Sequence, residues 1–180
     1  MKKKLMLLSI SLAIVVTIAG CSSKTPAKVE DTPTPPVVES GNADAVSSAS
    51  IALDEASFVE KISKDGNWIV LTTSDLTFTE DLIVDGEFDK RSLAFAVNLP
   101  DGKVDRFTVT TPSFVINSEN TLLEYGTVKG DVYVQAEGFT TKEATIDGNL
   151  YFATEELMDA FTADELTEIT GEVSVVEYTK

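Results

Sequence analysis

This chain of 180 residues has no histidine and a single cysteine, Cys21. Within one chain those shortages exclude Cys-His and Ser-His-Asp nucleophilic catalysis and the usual zinc chemistry. They also exclude an internal disulfide. Arginine is nearly missing too, with Arg91 and Arg106 the only two. Basic residues number 14 against 30 acidic ones, for a formal net charge of -16. Phosphate neutralisation needs a basic surface, so nucleic acid is not an expected partner, and adhesion to anionic lipid headgroups is disfavoured. No phosphate-binding loop or dinucleotide fingerprint occurs, and neither a cofactor nor a metal is expected. Apolar runs long enough to span a bilayer are missing as well: Leu5 to Ile18 is short of the ~20 residues a helical span requires.

What is present at the start is an address. Lys2, Lys3 and Lys4 form a basic region ahead of that apolar run, which then meets Ile18-Ala19-Gly20-Cys21. The order of these parts resembles the signal of bacterial lipoproteins, the lipobox. The resemblance implies a signal peptide over residues 1–20, cleavage before Cys21, and a diacylglycerol on its thiol. Acylation would remove a lone free thiol from an exported protein, and two acyl chains anchor stably where one does not. Ser22 stands where the retention signal of two-membrane bacteria has Asp, so either membrane stays open in such a cell. Residues 21–50 carry Pro26, Pro33, Pro35 and Pro36 among Ser, Thr, Ala and acids, with no aromatic residue. Such a segment buries too little surface to offset its ordering entropy and is expected to be a disordered linker.

Residues 51–180 are long enough for one domain with a sizeable core. They hold 26 acidic against 9 basic residues, a balance of -17, which suits solubility and permits cations or basic partners. Leu53 to Lys64 reads as an amphipathic helix, with Asp54 as N-cap, Phe58, Val59 and Ile62 as its stripe and Gly66 at its stop. After it the chain is organised around Val128-Lys129-Gly130-Asp131-Val132-Tyr133-Val134 and, eighteen residues later, Ile146-Asp147-Gly148-Asn149-Leu150-Tyr151-Phe152. Weaker copies are Val84-Asp85-Gly86-Glu87-Phe88 and Ile169-Thr170-Gly171-Glu172-Val173-Ser174-Val175. The pattern is strand alternation around a glycine where the backbone bends or is crowded. Steps of six from Ile116 pass through Leu122, Val128, Val134, Thr140, Ile146 and Phe152, all but Thr140 apolar. Three six-residue faces per turn predict a mainly β fold, a short parallel β-solenoid of triangular section with the helix capping its first edge. Strands are expected at 67–72, 82–88, 92–97, 106–110 and 114–117, with turns at Pro100-Asp101-Gly102, Thr111-Pro112 and Asn117 to Asn120. The first of those turns also suits a hairpin. The wider spacing from Gly148 to Gly171 predicts an excursion around Leu157 to Leu166, as a short helix with Thr162 and Glu165 as capping box. The rival arrangement is an antiparallel sheet. It would pair Val128 with Phe152, where the coil pairs Val132 with Leu150 and Val134 with Phe152.

Residues 113–176 resemble bactofilins, polymer-forming β-helices in which Gly-Asp-Val phrases recur. Bactofilins are cytoplasmic and more regular, and the lipobox, the linker and the irregular first half depart from them. The same phrases are similar to those of uncharacterised exported lipoproteins of Gram-positive bacteria. The resemblance implies the β-helix architecture and, as an alternative role, self-association into a scaffold.

Candidate site residues are few. Tyr133 and Tyr151 occupy matching outward positions, and an exposed aromatic ladder binds sugars or proteins, although such a pair also serves simply to stabilise the strands. Asp85, Glu87 and Asp89 alternate with apolar residues and should share an outer face, where oxygen ligands suit Ca²⁺. The EF-hand spacing is missing, and a solvated strand face explains them as well. Carboxylates could supply a glycosidase-like pair, but a β-helix enzyme acting on acidic polysaccharide needs a basic cleft, and no arginine cluster is visible. The expected role is a non-catalytic structural or binding module, lipid-anchored on the extracytoplasmic face of the cell membrane. Its partners would be the membrane through Cys21 and a cell-wall glycan or a protein. The alternatives are a self-assembling scaffold and a carbohydrate-active enzyme.

Overall fold

The computed structural model describes residues 50–180; the expected signal peptide, Cys21 and the linker up to residue 49 lie outside the described residues. The chain opens with β1 (Ser50–Ala52) and α1 (Glu55–Ile62). It continues through β2 (Ile69–Thr72), β3 (Leu76–Thr77), β4 (Leu82–Val84), β5 (Arg91–Ala94), β6 (Ala96–Asn98), β7 (Val104–Arg106) and β8 (Thr108–Ile116). Then come β9 (Thr121–Glu124), β10 (Thr127–Val134), β11 (Thr140–Lys142), β12 (Thr145–Asp147) and β13 (Leu150–Phe152). The last elements are α2 (Glu155–Ala160), β14 (Thr162–Ala163), β15 (Glu168–Ile169) and β16 (Val173–Val175).

The fold is mainly β, and its two large sheets are parallel. One runs β1-β2-β5-β9-β11-β14. In the other, β3 and β4 pair with β8, β8 with β10, β10 with β12 and β13, and these with β15 and β16. From β2 onward the chain visits the two sheets alternately. The register decides between the two sequence-level arrangements. Val128 pairs with Ile146, Val132 with Leu150 and Val134 with Phe152, so the offset stays at eighteen along both strands and the antiparallel alternative is excluded. Across the next step Leu150 pairs with Val173, matching the wider glycine spacing. Among the described residues the one antiparallel pair is the β6–β7 hairpin, turned at Pro100-Asp101-Gly102.

Alternation along these strands sends Phe114, Val132 and Leu150 into the core in one column and Ile116, Val134 and Phe152 in the next, all essentially fully buried. Each such side chain contributes roughly 1.5–3 kcal/mol on burial. Gly130, Gly148 and Gly171 form a third column. A Cβ on Gly148 would stand 2.2 Å from the Gly130 carbonyl oxygen, so no other residue fits. The position after each glycine is polar for a reason. Asp131 Oδ1 accepts both the backbone N–H and the side-chain N–H of Asn149 at 2.9 Å. Asn149 Oδ1 in turn accepts the Glu172 N–H at 2.9 Å.

Several expectations are corrected. Leu122 and Thr140 face outward; Thr121, Leu123 and Thr141 are the buried residues there, so the step of six fails on this face. Thr111-Pro112 is not a turn. It lies inside β8, where these two residues sit opposite Gly130 as a bulge, a place where a proline's missing N–H is tolerated. The weaker copy at Val84 is out of phase, because Val84 pairs with Ile116 in the column of Val134 and not of Val128. The C-terminal excursion does contain a helix, but it starts from Thr154, whose Oγ1 accepts the Leu157 N–H, while Thr162 is already in β14. At the other end Asp54 caps α1 as expected, accepting the Ser57 N–H at 2.8 Å. Phe58 and Ile62 are buried while Val59 is exposed.

Candidate functional site

Three places on the domain gather chemistry-bearing side chains. The first is the outer face of the strands that carry the tyrosines. Alternation puts Ile83, Val115, Tyr133, Tyr151 and Ser174 in one outward row, because their strands pair in register. The Tyr133 and Tyr151 ring centroids lie 5.0 Å apart, as the eighteen-residue offset requires. The row is not open. The residues after β16 turn back across it, and the Tyr178 ring meets Tyr133 edge-on at 5.2 Å. Tyr178 then donates its hydroxyl to Asp81 Oδ2 at 2.7 Å, beside β4. This crossing accounts for Val115, which points outward yet is only 1% exposed. Burial, then the nearby Asp131, raises the Tyr133 pKa above the ordinary tyrosine range. The hydrogen bond to Asp81 does the same for Tyr178.

The second place is the segment expected to carry Asp85, Glu87 and Asp89 on a strand. The strand stops at Val84, and the three acids lie on the turn that follows. They border an open groove of about 990 Å³, shared with Lys64, Asp65 and Glu119. Asp85 Oδ1 accepts the neighbouring Gly86 N–H. Among the described residues no group of three or more acids is placed to hold a metal ion.

The turn after β4 is tied to α1 by one buried side chain. Arg91 is 0% exposed. Its Nη1 donates to the Asp85 carbonyl, and its Nη2 to the carbonyls of Lys61 at 2.7 Å and Ser63 at 3.5 Å. Phe88 lies under the guanidinium, 4.6 Å from ring centroid to Cζ. The Lys61 and Ser63 carbonyls belong to the C-terminal end of α1, where unsatisfied oxygens and the helix dipole both favour a cation. Burial draws the Arg91 pKa down to about 10, partly offset by the charge of Asp85, so the group remains a cation at neutral pH. Arg91 is thus a structural clasp between helix and turn. Sequence reasoning saw an isolated arginine; the one available signal was its place at the head of the apolar run Leu93-Ala94-Phe95.

The third place is the corner at Tyr125, whose φ of 56° is left-handed. Arg106, at the end of the hairpin, pairs with Glu143 Oε2 at 2.6 Å, and Arg106 and Lys142 both lie over the Tyr125 ring. Both arginines are therefore engaged within the protein. No protein family, no curated protein and no solved structure matches this chain.

Proposed function

We propose that residues 51–180 form a short triangular parallel β-solenoid with α1 as its N-terminal cap. In this reading they act as a non-catalytic structural or binding module at the cell surface, held to the extracytoplasmic face of the membrane by a lipid on Cys21. The triangular reading is supported by the glycine column. It divides β12 from β13 and β15 from β16, giving two faces that meet at Gly148 and Gly171, with the β9–β11–β14 sheet as the third. Left-handed corners recur where such faces meet, at Asn120 and Gly138 and at Tyr125 and Glu143. The capping role of α1 is supported by the Asp85 N–H, which donates to the Ile62 carbonyl at 3.0 Å, so the helix end lies against β4, an end strand of the sheet that contains β8 and β10.

The observation that carries the non-catalytic reading is the engagement of both arginines. With Arg91 buried and Arg106 held by Glu143, both arginines are already committed within the protein, which supports a reading without a basic catalytic cleft. The anchoring reading rests on the lipobox resemblance. Its test is fractionation of cells fed a clickable fatty acid: the wild type should label and stay with the membrane, and Cys21→Ala should lose both the label and the retention. Normal retention of a correctly processed Cys21→Ala protein would end the anchoring reading. A glycan-hydrolysis screen tests the enzymatic alternative, and sizing at rising concentration tests the self-assembling one.

A further inference from the structure

The two ends of the domain differ. At the first end the last turn of α1 lies against β4, where the Ile62 carbonyl accepts the Asp85 N–H, and β1 ends the other large sheet. At the other end β14, β15 and β16 are the last strands of their sheets. Leu150 donates its N–H to the Glu172 carbonyl, and Val176 donates to the Phe152 carbonyl. In a parallel ladder this alternation turns the N–H and C=O of Val173 and Val175 to the outer edge. The bonds from Glu168 to Ala144 and from Thr170 to Ile146 do the same for Ile169. The side chains agree. Val173 and Val175 hold the inward positions occupied one strand below by Leu150 and Phe152, yet they are 44% and 40% exposed, and among the described residues no strand pairs beyond them. Leu166 and Val176 add exposed apolar surface to the same end.

This edge also carries one charge sign. From Thr154 onward there are eight carboxylate side chains and one basic residue, Lys180. The polar ladder points the same way. Asp131 accepts from the Asn149 backbone and Asn149 accepts from the Glu172 backbone, which makes the Glu172 carboxylate the acceptor for a backbone N–H one layer further on.

We propose that this C-terminal edge is a strand-addition site for an extended, basic segment of a partner protein. The segment would pair its backbone with Ile169, Val173 and Val175, place alternate apolar side chains over the uncovered core, and set Lys or Arg against Glu168, Glu172 and Glu177. Strand addition draws affinity from main-chain hydrogen bonds and specificity from alternate side chains. A second copy is disfavoured as occupant. Two C-terminal ends would oppose like charges, and a head-to-tail copy would join two surfaces of a domain whose balance is -17. The inference deepens the binding-module reading and is independent of the lipid anchor.

The test uses the full chain in non-ionic detergent and three short peptides: one alternating Lys and Val, one alternating Glu and Val, and one alternating Lys and Pro. The Lys-Val peptide should bind and slow hydrogen exchange at the amides of Ile169, Val173 and Val175. The double variant Glu168→Lys, Glu172→Lys, with an unchanged circular dichroism spectrum, should weaken it about tenfold. The Lys-Pro peptide, with half its donors removed, should bind far less. Equal binding of the Glu-Val peptide, exchange protection elsewhere than this edge, equal binding of the Lys-Pro peptide, or no binding of the Lys-Val peptide would each overturn the proposal. So would dimerisation that protects the same amides. Each of these results leaves the membrane fractionation of Cys21→Ala untouched, so the two readings fail separately.

Discussion

Replacing Arg91 by Met keeps the length and the apolar stem of the side chain and removes the cation. The carbonyls of Asp85 and Lys61 then lose charge-assisted hydrogen bonds, each worth about 1.5–3 kcal/mol. Loss of the contact with the Phe88 face adds about 1 kcal/mol. Against this, the variant no longer has to desolvate a charge, and the depression of the Arg91 pKa to about 10 sets that cost at roughly 3 kcal/mol. The net expectation is a loss of about 2–3 kcal/mol for Arg91→Met, and a smaller loss for Arg91→Lys, which keeps a donor but not the planar fork. Because the folded pKa lies below the unfolded one, the desolvation cost is constant below pH 10 and is relieved only above it. The wild-type-minus-variant difference should therefore be flat from pH 6 to 9. Urea unfolding at three pH values, with constant m, measures it. A variant as stable as the wild type would refute the clasp, and a difference that varied across that pH range would refute the electrostatic argument.

Other outcomes follow from the same geometry. Gly148→Ala should destabilise the domain by about 3 kcal/mol or more, since its Cβ meets the Gly130 carbonyl, while Gly102→Ala, in open space, should cost only about 1 kcal/mol for its positive φ; thermal unfolding compares them. Asp131→Ala should cost about 1–2 kcal/mol and speed exchange at the Asn149 amide, and Asp131→Asn should restore most of the loss. Tyr178 has its pKa raised by Asp81, so its contribution is present below the unfolded tyrosine pKa and is lost as pH rises through the folded value. Tyr178→Phe should thus be less stable than the wild type at pH 8 and closer to it at pH 11, by denaturant midpoint.

The parts of the fold that could be read from the sequence are those where one layer repeats the next. Val128 to Val134 and Ile146 to Phe152 announce themselves because core, glycine and tyrosine recur at one offset, and that offset is the pairing register. The first half hides its register behind insertions: the hairpin stretches the step from Leu82 to Phe114, and a chance Asp-Gly after Val84 imitates the motif in the wrong phase. At Leu122 and Thr140 the outward residues are apolar or neutral, so periodicity had nothing to distinguish the faces. Pro112 read as a breaker because a bulge is invisible without the partner strand. In the candidate site the Tyr133–Tyr151 stacking was legible, as alternation plus offset. Tyr178 and Arg91 were not. Their partners, Asp81 and the Lys61 carbonyl, are 97 and 30 residues away and carry no repeat to point at them.

The bond between Tyr178 and Asp81 changes how such a structure can come apart. A stack in which each layer touches only its neighbours behaves as a zipper, fraying from whichever end is weaker. Here the last residues reach past β13, β10 and β8 to grip the turn before β4. Peeling β16 away must therefore break a contact with the opposite end of the same sheet. The tail converts a sequence of local losses into a shared one, and the exposed final strand is held by the first.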